Sequence, residues 1–395
     1  MITSNLKYNK AVLLSLWFAA CARLLFGSLN IVALYIVVPL LFILCLRKDS
    51  SLLKNKYMII YSVIMFISLL SCYIAVDISL ALSSWKTMMG GWMVCFVLFS
   101  LIQIYPKSKN GIMITYVLLL ATTIYYLWNT GELANTDITI SRLAESAVNA
   151  NDIAYLLFFV STSITIMFYE QGEKRKYKIL LVYSAIIVLA IWCSLITASR
   201  QILLVVIPMI LVGLLYNTTK FEFNSSSVIF TVIGAIIVYL AYRQIVAPMI
   251  ESSYLGNRLE EDAKEDIRML LMVEGFAVGK DHWFLGVGTG NFIRYSNFNA
   301  FSHCSYSEIF ANSGIFALIS YIYLLLYFVK RQYKFYIETQ DSIFKFTFIF
   351  GLVWALYNFL YVFYTGPWLI GYFFLIAGYS ERKYKEIIYG HDYFF

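Results

Sequence analysis

A histidine and a glutamate stand at the head of a long apolar run, in "FSHCSYSEIFANSGIFALISYIYLLLYFV", residues 301–329. Ionisable groups are costly in lipid, so at such a place they are excluded or put to use. His303, with an ordinary pKa of about 6.5, exchanges a proton near neutrality. In a helix beginning here, His303 and Ser307 share a face, and Glu308 is turned a further ~100° away, so His303 and Glu308 need not touch. Two arginines belong to the same inventory. Arg200 closes "WCSLITASRQILLVV", where one apolar run ends and the next begins with almost no loop, and Arg268 lies in "EDIRMLLMVEGF". A guanidinium stays protonated and presents a planar fork of donors to an anion. Between Arg268 and His303 runs the glycine-rich "GVGTG", Gly286 to Gly290.

Each feature also has an ordinary structural explanation. An arginine at the end of an apolar run snorkels to the headgroups, although the sharp "ITASRQ" turn leaves Arg200 little room for that. Arg268 is placed to pair with Glu265 or another neighbouring acid on a solvated helix face. No strand-then-helix pattern surrounds the glycines, so a dinucleotide loop is excluded and a tight turn is expected. Taken singly, none of these residues decides a function.

The elements that must position them are membrane helices. The chain of 395 residues is 61% hydrophobic and 13% charged, whereas soluble domains sit at roughly 45–50% and 25%. Apolar runs near 11–26, 29–46, 57–76, 88–105, 111–128, 152–169, 179–197, 201–216, 228–247, 304–329, 344–363 and 366–380 suit helices that cross a bilayer, which takes about 20 residues. The first lacks a small-residue cleavage site and reads as a retained helix. The six cysteines show no CxxC pair and mostly lie inside apolar runs, so neither a metal site nor a disulfide framework is expected. The net charge of +7 is explained by placement. Most Lys and Arg fall in alternate loops such as "RKDSSLLKNK" and "EQGEKRKYK", which puts both termini in the cytoplasm. The other side carries two long polar segments, 129–151 and 248–303. In the second, "GNRLEEDAKEDIRMLLMVEGFAVG" reads as a helix with an acidic first turn, suited to the membrane surface.

In order along the chain, "SRLAESAVNANDIAYLL", "TASR", "IRMLLMVEGF", "FLGVGTGNF" and "SHCSYSEIFANSGIFALI" resemble the O-antigen polymerase and ligase family of bacterial envelopes. The matching positions are Arg142 and Asn149 to Asn151, Ser199-Arg200, Arg268, Gly286-x-Gly288, His303 and Gly314. The resemblance covers roughly 140–330 by motif and the whole chain by topology. Many members have Asn after the histidine, where Cys304 stands here. The resemblance implies an all-α polytopic membrane protein, a single integral domain over 1–395 with about 12 transmembrane helices. It would be similar to the C-type glycosyltransferases, with the large periplasmic loop 248–303 between helices 9 and 10.

It also implies an activity, the transfer of a glycan from undecaprenyl pyrophosphate to the hydroxyl of another lipid-linked repeat unit at the periplasmic face of the bacterial inner membrane. On that reading Arg200 and Arg268 stabilise charge on the leaving pyrophosphate, and His303 acts as general base or positions the acceptor. Arg142, Asn151, Gly286, Gly288, Tyr306 and Glu308 contact substrate, with orienting His303 as the alternative role for Glu308, and Trp283 and Tyr295 offer further stacking faces. No DxD-like pair stands on the large outward loops, so metal independence and no cofactor are expected. The partners implied are donor and acceptor glycolipids, membrane lipid and a chain-length regulator protein, with no nucleic acid. Within the family a ligase acting on lipid A–core is the alternative, although the "HxHN" pattern of ligases is absent. From another class, a lipid-linked oligosaccharide flippase would need internal repeats and broken membrane helices, and the sequence shows neither clearly.

Overall fold

The computed structural model describes residues 32–106, 109–131, 150–171, 176–218, 247–255 and 267–390. Among them no strand occurs. In chain order the longer helices are α1 (Val38–Lys48), α2 (Lys56–Ser71), α3 (Ile78–Ile104), α4 (Lys109–Asn129), α5 (Ala150–Gln171), α6 (Lys176–Thr197), α7 (Ile207–Thr218), α8 (Ile267–Asp281), α9 (Ser305–Thr339), α10 (Ile343–Tyr357) and α11 (Pro367–Tyr389). Six helical segments among the described residues are long and apolar enough to cross a membrane: those of α2, α3, α4, α5, α6 and α9. The expected span 11–26, residues 228–246 of the expected span 228–247, and Arg142 lie outside the described residues.

The chain divides into two compact units, one of residues 1–112 with 262–395 and one of residues 113–261. In the second, α5, α6 and α7 are joined where polar groups meet between helices. Thr165 Oγ1 and Tyr183 Oη share a hydrogen bond of 2.6 Å, and Asn217 Nδ2 donates to both Tyr183 Oη (3.0 Å) and the Thr165 carbonyl (3.2 Å). Inside an apolar bundle such bonds satisfy side chains that have no water to turn to.

The first unit is built on close helix approach. A β-carbon at Gly378 of α11 would lie 3.0 Å from the Phe99 carbonyl oxygen of α3, and one at Gly91 of α3 would lie 3.3 Å from Pro367 Cα. Small residues let helix backbones meet where lipid offers no hydrophobic drive. At the far end of α9, Arg331 pairs bidentately with Glu381 of α11 (2.8 and 3.0 Å) and lies 4.4 Å over the Phe335 ring. A forked, ring-covered pair of this kind is among the stronger ionic contacts available to a protein.

Two expectations are corrected in this unit. The apolar run 344–363 is not one helix, because α10 stops at Tyr357 and 358–366 is irregular. The start of α9 holds that segment open. Ser305 N–H donates to the Asn358 carbonyl (2.8 Å), Ser305 Oγ bonds both the Tyr361 carbonyl and the Phe363 N–H, and Tyr321 Oη donates to Asn358 Oδ1 (2.6 Å). Nor is α9 unbroken: Gly314 has φ 77° and ψ −174°, a region that is essentially glycine's alone. At 35 residues, α9 is about 52 Å long. Gly314 precedes the basic end at Lys330 by about 24 Å of helix, within the roughly 30 Å of a hydrocarbon core. Irregular backbone at that depth must be covered by protein. The loop 283–288 covers it: Ile315 N–H donates to the Trp283 carbonyl, while Val287 and Gly288 N–H donate to the Ala311 and Asn312 carbonyls (2.8, 2.8 and 3.0 Å).

Candidate active site

The glycine turn is the local frame of the site. Gly286, Gly288 and Gly290 all have positive φ, which an L side chain reaches only with strain. A β-carbon at Gly286 would lie 2.4 Å from the Ala311 carbonyl oxygen, and one at Gly288 would lie 2.4 Å from Ala75. Both glycines are buried, and the Gly288 N–H is engaged by the α9 break, so the structure gives these two residues a packing role. The turn then fastens to the end of α2. Thr289 Oγ1 donates to the Ser68 carbonyl (2.7 Å), and Ser68 Oγ shares a hydrogen bond with Ser313 Oγ (3.1 Å). Asn291 grips the backbone of residue 77 with both ends of its amide: Oδ1 accepts the Asp77 N–H and Nδ2 donates to the Asp77 carbonyl (2.9 and 3.1 Å).

Asp77 in turn caps α3, its Oδ1 accepting the Leu80 N–H at 2.9 Å, and its Oδ2 meets Arg294 at 2.9 Å. The Leu80 N–H first, and then the Arg294 guanidinium, hold the Asp77 carboxyl below the usual carboxylate range, because each favours the charged form.

Helix α8 brings Arg268 to the same unit. Leu271, Gly275 and Gly279 are spaced four apart and form its buried face. A β-carbon at Gly275 would lie 3.0 Å from Ser307 Cβ and 3.4 Å from Ser302 Cβ, and one at Gly279 would lie 2.4 Å from the Phe310 ring. The pair is a Gly-x-x-x-Gly contact, the spacing by which helices approach most closely in lipid. Sequence reasoning read "VEGFAVG" only as part of an amphipathic helix, although the spacing was there to find. Arg268 is half-buried, and its guanidinium acts electrostatically on the Tyr357 hydroxyl at the end of α10.

His303 is half-buried in the loop that enters α9, with φ +55°. Its imidazole packs on the Phe301 ring, centroids 4.1 Å apart, and its Nδ1 is turned into the protein. Glu308 is buried, with Oε2 accepting the Ser302 N–H (2.6 Å) and Oε1 accepting Asn312 Nδ2 (2.8 Å). Tyr306 is also buried. Its hydroxyl donates to the Ala355 carbonyl (2.7 Å) and its ring meets Phe359 at 4.6 Å, so it fastens α9 to α10. Trp283 and Tyr295, by contrast, are exposed.

Arg200 and Asn151 belong to the second unit. The expected sharp turn is there: α6 ends at Thr197, Ala198 adopts φ +47°, and helix resumes at Arg200, which is half-buried. The turn is packed by Leu195, Ala198, Ile250 and Leu255. Asn151 is buried in the first turn of α5. The structure therefore brings Arg268, the glycine turn, His303, Tyr306 and Glu308 into one unit, and places Arg200 and Asn151 in the other. Sequence reasoning missed Ser302, Asn312, Asn291 and Asn358: Asn291 and Asn358 act through contacts distant in the chain, and Ser302 and Asn312 through the carboxylate of Glu308. Among the described residues no group of three or more His, Cys, Asp or Glu is arranged to hold a metal ion. Comparison of the chain with protein-family models and with curated proteins finds no match.

Proposed function

We propose that this chain polymerises lipid-linked oligosaccharide repeat units, as members of the O-antigen polymerase family do. The observation that carries the reading is the seat of α8 on the first turns of α9. Gly275 and Gly279 press the arginine-bearing helix against Ser302, Ser307 and Phe310, in the unit that presents His303. In the proposed reaction a sugar hydroxyl of the acceptor glycolipid attacks the anomeric carbon of the donor, opposite the leaving undecaprenyl pyrophosphate, and inverts that centre. Arg268 takes the growing phosphate charge, a task its fixed fork of donors suits, in place of a divalent ion, and the same task is proposed for Arg200 by the resemblance alone. His303 accepts the hydroxyl proton or orients the hydroxyl.

The same proposal includes about 12 spans in a C-type glycosyltransferase-like arrangement, an inner-membrane location with both termini cytoplasmic, a site open to the periplasm, and a chain-length regulator as partner. One observation favours a second reading. The break of α9 at Gly314 is the kind of discontinuous membrane helix found in transporters, so a flippase for the same glycolipids is the competitor. Against it, the backbone groups at the break are taken up by residues 283–288.

The test is the surface polysaccharide of a strain lacking this chain, run on a gel after complementation with wild type or His303→Ala. A core bearing a single repeat unit, restored to a ladder by wild type and not by H303A, supports the polymerase. Bare core with long glycan still on its lipid carrier would mean a ligase. Repeat units held at the cytoplasmic face would mean a flippase. A full ladder with H303A would remove the assigned site.

A further inference from the structure

The loop that carries His303 holds a conformation that needs an explanation. Asn299 and His303 have φ of +50° and +55°, uncommon for residues other than glycine. Such backbone persists only where its surroundings over-determine it. Three anchors do so here. At the start of the loop, the Phe292 N–H donates to Asn312 Oδ1 (2.8 Å). In the middle, Glu274 of α8 accepts the Asn297 N–H, Asn297 Nδ2 and Ser296 Oγ (2.9, 2.6 and 2.9 Å). At the end, the Ser302 N–H donates to Glu308 Oε2, and Ser302 Oγ donates to the Cys304 carbonyl (2.6 and 2.9 Å).

We propose that Glu308, braced by Asn312, is the positioning residue for His303 and acts through the Ser302 N–H, an inference that rests on the role given to His303 above. Asn312 is the hinge of the arrangement. Its Nδ2 holds Glu308, its Oδ1 holds the start of the loop, and its backbone carbonyl accepts the Gly288 N–H beside the break. Both ends of the loop therefore close on one short half-helix, Ser305 to Ser313, which the α9 break and the glycine turn fix in place. The choice of carboxylate follows from the geometry. Both oxygens face donors, and a charge-assisted bond is shorter and stronger than a neutral one. A glutamine here could offer its oxygen to only one donor and would set its amide N–H groups against the other. Burying a carboxylate costs far more than burying an amide, so stiffness at Ser302, one residue from the imidazole, is the return for that cost. On the other side the Phe301 ring limits the swing of the imidazole.

The experiment compares wild type, E308Q and H303A as full-length protein in nanodiscs, with two readouts. Turnover of lipid-linked repeat units gives kcat, KM and the pH profile. Modification by diethyl pyrocarbonate, followed residue by residue by mass spectrometry, gives the reactivity of His303 against exposed His282 as internal control. The expected result for E308Q is a kcat lower by about 10²-fold, the penalty for a misplacement of ~1 Å, with KM little changed and a shifted pH profile. His303 modification should quicken several-fold while His282 stays the same. Unchanged His303 reactivity in E308Q overturns the positioning role. Altered reactivity with turnover intact in both E308Q and H303A leaves the positioning in place and overturns the role of His303 itself. If E308Q does not accumulate in membranes, N312A keeps the Ser302 bond and removes the brace on Glu308 together with the acceptor of the Phe292 N–H. It is expected to shift both readouts in the same direction by less, and no shift overturns the proposal.

Discussion

The junction at the α9 break and the Thr165–Tyr183–Asn217 cluster are both polar, buried and surrounded by apolar helices, yet they hold different things. In the cluster, side chains bond one another and helix carbonyls, and no backbone N–H of one helix has to find a partner on another. At the junction, backbone bonds backbone, because residues 283–288 are irregular and the break at Gly314 leaves the Ala311 and Asn312 carbonyls and the Ile315 N–H to be satisfied by them. The first arrangement can lose a member and relax through rotamers. The second has no such freedom, and the candidate site is attached to it.

The contrast is tested most severely by adding one methyl group in each place. At Gly314 a β-carbon would fall 2.3 Å from the Phe284 carbonyl oxygen, in a backbone conformation forbidden to alanine, and at Gly213 it would fall 2.3 Å from Thr165 Oγ1. The neighbour is fixed backbone in one case and a rotatable hydroxyl in the other. We expect G314A to cost about 3 kcal/mol or more, from strain and overpacking together, and to leave little folded protein. G213A should cost about 1–2 kcal/mol. Thermal unfolding in nanodiscs checks both, and equal losses would show that the junction is no stiffer than the cluster.

A milder version removes hydrogen bonds instead of adding bulk. N291A strips the Asp77 backbone of a donor and an acceptor partner together, and should cost about 2 kcal/mol because two half-buried backbone groups lose their partners at once. Y183F removes one hydroxyl from the cluster and should cost about 1 kcal/mol, near the average for side-chain bonds between membrane helices. The same unfolding assay ranks the two, and the reverse order would break the comparison.

The sequence announced these two regions unequally. Hydropathy located every long helix among the described residues, because a run such as "KYMIIYSVIMFISLLS" has few other fates. It missed the first turns of α3, where "ISLALSSWKT" is too polar for a hydropathy window and Asp77 sets the start by capping. It read 344–363 as one span because "YNFLYVF" is as apolar as the helix before it. What ends α10 is Ser305 and Tyr321, far away in sequence. The histidine and glutamate stood out because ionisable groups at a span mouth are rare. Their relation did not, since it runs through Ser302 and Asn312, ordinary residues until the fold sets them around a carboxylate. Gly314 was visible as a glycine, but a break in the helix follows from it only once the 283–288 loop supplies the missing partners.

The smallest expected effect lies at the rim of the junction, where Asp77 meets Arg294. Two contributions are mixed there, the cap on α3 and the exposed ion pair, and pH separates them. Asp77 has a carboxyl depressed in the folded protein below the ~3.9 of a free aspartate. Its contribution to stability is therefore complete above that value and is lost as pH falls through the lower folded one. D77N keeps a capping oxygen and loses the charge, and R294Q keeps the carboxylate and its cap and loses the partner. At pH 7 and low salt both variants should unfold slightly below wild type, and added salt should narrow the gap, because the pair is exposed to solvent. Once the pH lies below that folded value both gaps should close, since wild-type Asp77 is then protonated as well. A gap for R294Q that persists at that pH would mean that Arg294 acts through the packing of its aliphatic stem. Asn291 would then carry the polar hold on Asp77, and Arg294 would add only apolar contact.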